Sequence, residues 1–118
     1  MGYRPQTDDD GDVFFNYQMK RLYVLVGDED EAFLQVLLPQ FVTLEEGQEA
    51  EVLAICNKVT REFKLTKVFM DPSYKTVSAS CEFFYTDDES LDRCLHQALR
   101  VLSVIRPAFY QVKEDLSR

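Results

Sequence analysis

The sequence predicts an α+β fold, with a five-stranded antiparallel sheet in the order β-β-β-α-β-β-α and both helices packed on one face. Five segments carry apolar residues at alternating positions or in short apolar runs, which indicates strands. Two longer segments carry apolar residues at helical spacing. The connections are short, which favours antiparallel neighbours. At 118 residues and 46% hydrophobic, the chain suits one domain, which we place at residues 13–118 behind an acidic N-terminal tail at residues 1–12.

The first three predicted strands follow the tail in quick succession. Residues 13–19 alternate between apolar and polar side chains, as a half-buried strand does. Residues 22–26 form the second strand, and the acidic segment 27–31 reads as a hairpin loop. Residues 32–38 form the third strand, which we expect Pro39 to end because proline cannot donate to a sheet ladder.

A helix and a strand pair come next. Residues 43–46 (Thr-Leu-Glu-Glu) fit the capping box that begins a helix, and the apolar spacing beyond them predicts a helix over residues 45–63. Residues 65–70 and 76–85 then read as two strands. The turn between them is predicted at Asp71-Pro72, because proline suits the second position of a type I turn.

The last element is a long helix. A second capping box is predicted at residues 86–89, Thr-Asp-Asp-Glu, whose acids suit the positive end of a helix dipole. The helix carries one apolar stripe, formed by Leu91, Leu95, Ala98, Leu102, Ile105 and Phe109. Pro107 is expected to end or kink the helix near Arg106.

Charge and composition narrow the classes of partner. The formal net charge of −8 repels phosphate backbones, so we expect no nucleic-acid function and regard a basic protein surface as the better electrostatic match. No segment approaches the roughly 20 apolar residues of a membrane span, and residues 1–5 lack the apolar run of a signal peptide. We therefore expect a cytoplasmic protein without membrane contact. The three cysteines have no CxxC spacing and are expected to be reduced.

No residue pattern predicts catalysis, a metal or a cofactor. His96 follows Cys94 by two helical positions, which point to nearly opposite sides and cannot form a nucleophile–base pair. The run Asp8–Asp12 resembles a calcium loop, but the EF-hand alignment on its glycine puts Gln6 and Tyr17 where acids are required. The sequence therefore predicts a protein that is not an enzyme.

The second and third predicted strands, residues 22–26 and 32–38, are apolar on both faces. The two predicted helices can cover only one face of the sheet. Strands with two apolar faces are expected to be covered on both. We therefore predict a protein interface, buried by a second copy or by a client protein. The candidate residues are Phe14, Leu22, Val24, Val26, Leu34, Val36, Leu38 and Phe84. Two alternatives stay open: the strands twist so that both faces meet the core, or the N-terminal tail covers them.

The chain resembles the YbjN family of bacteria, a group proposed to regulate sensory transduction. The resemblance spans about residues 12–113 and is carried by apolar patterns with Pro39 and Asn57 as landmarks. The segments that carry it are VFFNYQMKRLYVLVGDEDEAFLQVLLPQF, EVLAICNKVTREFKLTKVFMD, VSASCEFF and LHQALRVLSVIRPAFYQV. The resemblance brings no catalytic motif to this chain.

The YbjN family is similar in fold to the class I chaperones of type III secretion, which are small, acidic dimers that hold an unfolded segment of a secreted effector. The resemblance thus implies a homodimeric, non-enzymatic protein-binding module that acts as a regulator or a chaperone-like adaptor. The alternative is a small-molecule sensor with a pocket between sheet and helices. An enzyme is the third and least favoured hypothesis.

Overall fold

The computed structural model describes residues 6–7, 13–17, 20–26 and 32–117. Within these ranges the chain forms two layers, a β-sheet and a pair of helices packed on it. The elements in chain order are β1 (Gln6–Thr7), β2 (Val13–Tyr17), β3 (Lys20–Val26), β4 (Phe33–Thr43), α1 (Glu49–Glu62), β5 (Thr66–Met70), β6 (Thr76–Phe84) and α2 (Asp88–Leu116). This confirms the α+β class with two helices and an antiparallel sheet.

The sheet has six strands rather than the predicted five. Its order is β1-β2-β3-β4-β6-β5, and every neighbouring pair is antiparallel. The additional strand is β1, in which Gln6 pairs with Phe14 and Thr7 with Val13. Two residues are too few to show an alternating pattern, so this strand could not be recognised within the expected tail. Residues 1–5 and 8–12 of that tail, and the predicted loop at 27–31, lie outside the described residues.

Strand β4 does not end before Pro39 but continues to Thr43. The pairing with β6 shifts between Leu38 and Val42, so that the proline lies in an irregular stretch where no ladder hydrogen bond is required of it. Gln40 adopts a positive φ of 47°, and its backbone N–H donates to Ser78 Oγ at 2.9 Å. A bulge therefore absorbs the residue that was expected to end the strand.

Helix α1 begins at Glu49, four residues after the predicted start. The predicted capping box is wrong because Thr43 belongs to β4, where it pairs with Thr76. The turn before the helix is made by Gly47, whose φ of 87° is readily adopted by glycine. Gln48 is the N-cap residue and makes no side-chain cap bond.

Helix α2 begins close to its predicted position and runs past its proline. Asp87 is the N-cap residue: the Ser90 N–H donates to Asp87 Oδ1 at 2.7 Å, and the Asp87 N–H donates to Ser90 Oγ at 3.1 Å. The helix does not end near Arg106, because Phe109 and Val112 beyond Pro107 are buried in the core and hold the last turns in place.

Both helices lie on the same face of the sheet, and the core fills the space between them. Its buried side chains come from alternate positions of β3, β4, β5 and β6 and from one stripe of each helix. We call the opposite side of the sheet, which neither described helix covers, the open face. Neither described helix carries an apolar stretch long enough to cross a membrane.

Candidate functional site

Most of the predicted interface residues lie in the core rather than on the open face. Leu22, Leu34, Val36 and Leu38 are all at most 4% exposed. Val24 is partly buried against the same core, and the side chain of Val26 lies outside the description. The four buried residues and Val24 pack toward the helices, so their assignment to an exposed surface is wrong. Alternation separates the two faces of a strand but does not say which face the helices will cover.

Two of the eight predicted residues, Phe14 and Phe84, belong to the open face. Phe84 is 74% exposed, whereas Phe14 is only 6% exposed. The guanidinium of Arg21 lies 4.2 Å from the centre of the Phe14 ring, and the Tyr23 ring lies 5.7 Å from it. Phe14 is therefore sheltered by its neighbours, and Phe84 offers much the larger accessible surface.

The open face carries an apolar row in which Phe84 is the one predicted interface residue. Its members are Tyr23, Leu25, Phe33, Leu37 and Phe84. Tyr23 pairs with Leu37 across β3 and β4, and Phe33 pairs with Phe84 across β4 and β6, with ring centres 5.4 Å apart. All except Phe84 are half-buried. The sequence contains this row as the apolar residues that alternate, in β3 and β4, with those that were predicted.

The open face also carries a polar cluster, centred on Glu82 of β6. Glu82 accepts a hydrogen bond from Gln35 Nε2 at 3.1 Å and one from Ser80 Oγ at 3.3 Å, and it forms an ion pair with Lys67. A buried or half-buried carboxylate is tolerated when such partners satisfy it. The open face thus carries both the apolar row and a polar cluster centred on Glu82.

A separate pocket of about 510 Å³ opens on the helix side of the molecule. It lies where α1 ends and β5 begins, and it is bounded by β6 and α2. Its lining residues are Glu62, Phe63, Lys64, Leu65, Cys81, Phe83, Cys94, Gln97, Ala98, Arg100, Val101 and Val104. The lining is mostly apolar, and its charged side chains are Glu62 and Lys64 at the end of α1 and Arg100 in the middle of α2.

Two of the three thiols, those of Cys56 and Cys81, are poor nucleophiles. Burial raises the pKa of Cys81, although a contact of 3.3 Å with Thr66 Oγ1 opposes the shift. Burial also raises the pKa of Cys56 to about 11. A protonated thiol is a poor nucleophile and a poor metal ligand. His96 lies on the exposed side of α2, with Nε2 at 3.5 Å from an oxygen of Asp92, so it does not approach Cys94 as a base.

The described part of the chain contains no cluster of three or more His, Cys, Asp or Glu side chains that could hold a metal ion. The calcium-like run Asp8–Asp12 falls outside the described residues. The candidate site therefore consists of two surfaces formed by described residues, namely the open face and the pocket.

The chain was compared with models of known protein families. The family model YbjN, described as "Putative bacterial sensory transduction regulator", matches residues 1–111. The chain belongs to the YbjN family. The resemblance expected from the sequence is thereby confirmed, and YbjN membership supports a regulator-like role. YbjN is not known as an enzyme family. No curated protein matches the chain.

Proposed function

We propose that this YbjN protein is a non-enzymatic regulator that binds another protein through the apolar row of its open face. The observation that carries this proposal is Phe84. Its ring is 74% exposed and packs beside Phe33 on a face that neither described helix covers. An aromatic side chain next to a half-buried apolar row is the arrangement that protein interfaces use as an anchor.

The polar cluster around Glu82 supports a binding role for the open face. Gln35 and Lys67 hold the Glu82 carboxylate in place beside the apolar row. Interfaces combine an apolar centre with a polar rim whose groups position the partner. The net charge of −8 favours a basic partner, because unlike net charges accelerate encounter and like charges oppose it.

The partner would dock on the face of the sheet rather than extend its β5 edge. In the middle of β5, the outward Val68 N–H donates to Thr60 Oγ1 of α1 at 2.9 Å, and the same hydroxyl donates to Val68 O at 3.3 Å. An added strand needs these backbone groups free. Helix α1 therefore blocks strand addition at this edge.

In the finer version of the proposal, the protein is a cytoplasmic homodimer that holds a client segment, as a chaperone-like adaptor. The apolar row supports either a second copy or a client as its occupant. Charge favours a client, because two chains of −8 repel each other.

Photo-crosslinking tests this proposal. We would place benzoylphenylalanine at position 84, on the open face, and in a control chain at position 53, where Leu53 is 50% exposed on α1. We expect adducts from position 84 in the source cell and none above background from position 53. An adduct of twice the chain mass identifies a homodimer, and a mixed adduct identifies a client. Equal or absent crosslinking at the two positions would contradict the proposal.

A small-molecule sensor is the second candidate function. The observation that favours it is the pocket, since about 510 Å³ lies within the size range of ligand sites. A thermal-shift screen of metabolites tests it: a bound compound should raise the melting temperature. Absence of any stabilising compound would count against this function and would leave the open face unaffected.

A further inference from the structure

We infer that the pocket binds a small apolar carboxylate of the fatty-acid class, with the chain inside and the carboxylate at the charged rim. This inference rests on the second candidate function, a ligand pocket, and names the ligand that such a pocket would take. It is independent of the open face, because the pocket residues Cys81 and Phe83 point to the opposite side of the sheet.

The interior of the pocket suits an apolar chain. Phe83 and Ala98 are buried, and Phe63 and Val101 are partly buried around the cavity. The Cys81 thiol is held protonated by burial and contacts Thr66, so it presents no charge to the ligand. An uncharged, mostly carbon interior favours a ligand body without hydrogen-bonding groups.

The charged residues of the lining favour an anion. Lys64 and Arg100 contribute two cations, and Glu62 contributes one carboxylate. Within the described ranges neither Lys64 nor Arg100 is paired with a carboxylate, so both charges are available to another partner. An excess of positive charge at the rim is unusual on a chain of net charge −8 and is complementary to a carboxylate.

Leu65 gives a separate indication that the mouth of the pocket is used. It has a φ of 58°, in the region that non-glycine residues rarely adopt, and its side chain is 70% exposed. Its carbonyl accepts from the Glu82 N–H at 3.4 Å, and the neighbouring Lys64 carbonyl accepts from Thr66 Oγ1 at 2.9 Å. The backbone thus holds an apolar side chain in water beside the cavity, where a ligand chain would cover it.

The test compares octanoate with octanol, which share a chain length and differ in charge. We would titrate each into the ¹⁵N-labelled full chain and follow the amide signals. Octanoate should shift signals of the pocket residues and bind about tenfold more tightly than octanol, as expected from modest, partly exposed ion pairs. Equal affinities would leave a ligand pocket standing but overturn the carboxylate inference. Absence of both ligands from the pocket would overturn the pocket as well.

Charge variants sharpen the test. The double variant Lys64→Gln with Arg100→Gln should weaken octanoate binding about tenfold and leave octanol binding unchanged. The matched control is Lys75→Gln with Arg93→Gln, which removes two exposed cations that do not line the pocket. Equal losses in both double variants would show a general charge effect and overturn the proposed rim.

Leu65→Asn separates ligand binding from folding. Asparagine tolerates a positive φ better than leucine, and little buried area is lost, so the unfolding midpoint should stay the same or rise. Octanoate binding should fall several-fold because the mouth loses its apolar cover. Unchanged octanoate affinity would overturn the role assigned to Leu65.

Discussion

At the scale of single residues, Ser78 joins three parts of the sheet. It lies in β6 and is 3% exposed. Its hydroxyl oxygen accepts from the Gln40 N–H in the β4 bulge at 2.9 Å and lies within 3.1 Å of Asp71 Oδ1 in the β5–β6 turn, to which it donates. Thr76 Oγ1 also donates to this carboxylate. One small hydroxyl therefore satisfies the backbone that Pro39 disturbs.

Ser78→Ala is expected to lower the free energy of unfolding by about 1–3 kcal/mol, because it leaves the Gln40 N–H without its acceptor. Urea unfolding measures the change. Ser73→Ala is the matched control, since Ser73 is exposed, and it should shift the free energy by less than about 0.5 kcal/mol. Equal effects at the two positions would show that the bulge does not depend on Ser78.

The raised pKa of Cys56 predicts a pH dependence of stability. Burial moves this pKa from 9.0 to about 11, so the folded chain holds the thiol proton more tightly than the unfolded chain. The resulting stabilisation is present below pH 9 and is lost as the pH rises through about 11. Urea midpoints of wild type and Cys56→Ala, measured from pH 8 to 11, should converge at high pH. Parallel curves would contradict the shift.

At the scale of elements, α1 and β5 are joined by Thr60, whose hydroxyl binds both backbone groups of Val68. This contact anchors the helix and also occupies the middle of the edge strand. The bulge in β4 and the passage of α2 through Pro107 show the same principle: a local breaker is accommodated where neighbouring elements supply the lost bonds or buried area.

Thr60→Val is expected to destabilise the fold by about 1–3 kcal/mol, because the Val68 N–H loses its acceptor. It should also promote association of the chain through the exposed edge. Thr60→Ser keeps the hydroxyl and is the control. Urea unfolding and light scattering measure the two effects. A Thr60→Val chain that matches Thr60→Ser in both would contradict the assignment of this contact.

At the scale of the whole molecule, the two faces of the sheet differ in what their aromatic residues do. Phe109 of α2 is 1% exposed within the core, whereas Phe84 is 74% exposed on the open face. The first stabilises the chain, and the second is available to a partner. Phe41 supports this division, since its ring packs edge-on against Phe109 at 5.9 Å between ring centres.

Phe109→Ala is expected to lower the free energy of unfolding by about 3–5 kcal/mol through loss of buried area and creation of a cavity. Phe84→Ala should change it by less than about 0.5 kcal/mol and should reduce the binding of a fluorescent apolar dye such as ANS. Urea unfolding and dye titration measure the pair. A large loss of stability from Phe84→Ala would mean that this ring serves the fold rather than a partner.

The sequence by itself determined the features that depend on neighbouring residues. Alternation and short apolar runs identified five of the six strands, and the apolar stripe identified α2, although its N-cap is Asp87 rather than the predicted Thr86. The apolar pattern also sufficed for the YbjN family. These features follow from periods of two and 3.6 residues, which any short window of the chain contains.

Only the tertiary structure decided which face of β3 and β4 became the core. Leu22 and Val36 were as plausible on the open face as Tyr23 and Leu37, because both sets are apolar and alternate equally well. The choice was made by where α1 and α2 dock, and that depends on contacts between residues far apart in the chain. The pocket arose in the same way, since Leu65, Phe83 and Val104 share no local pattern and meet only when a strand edge and two helices come together.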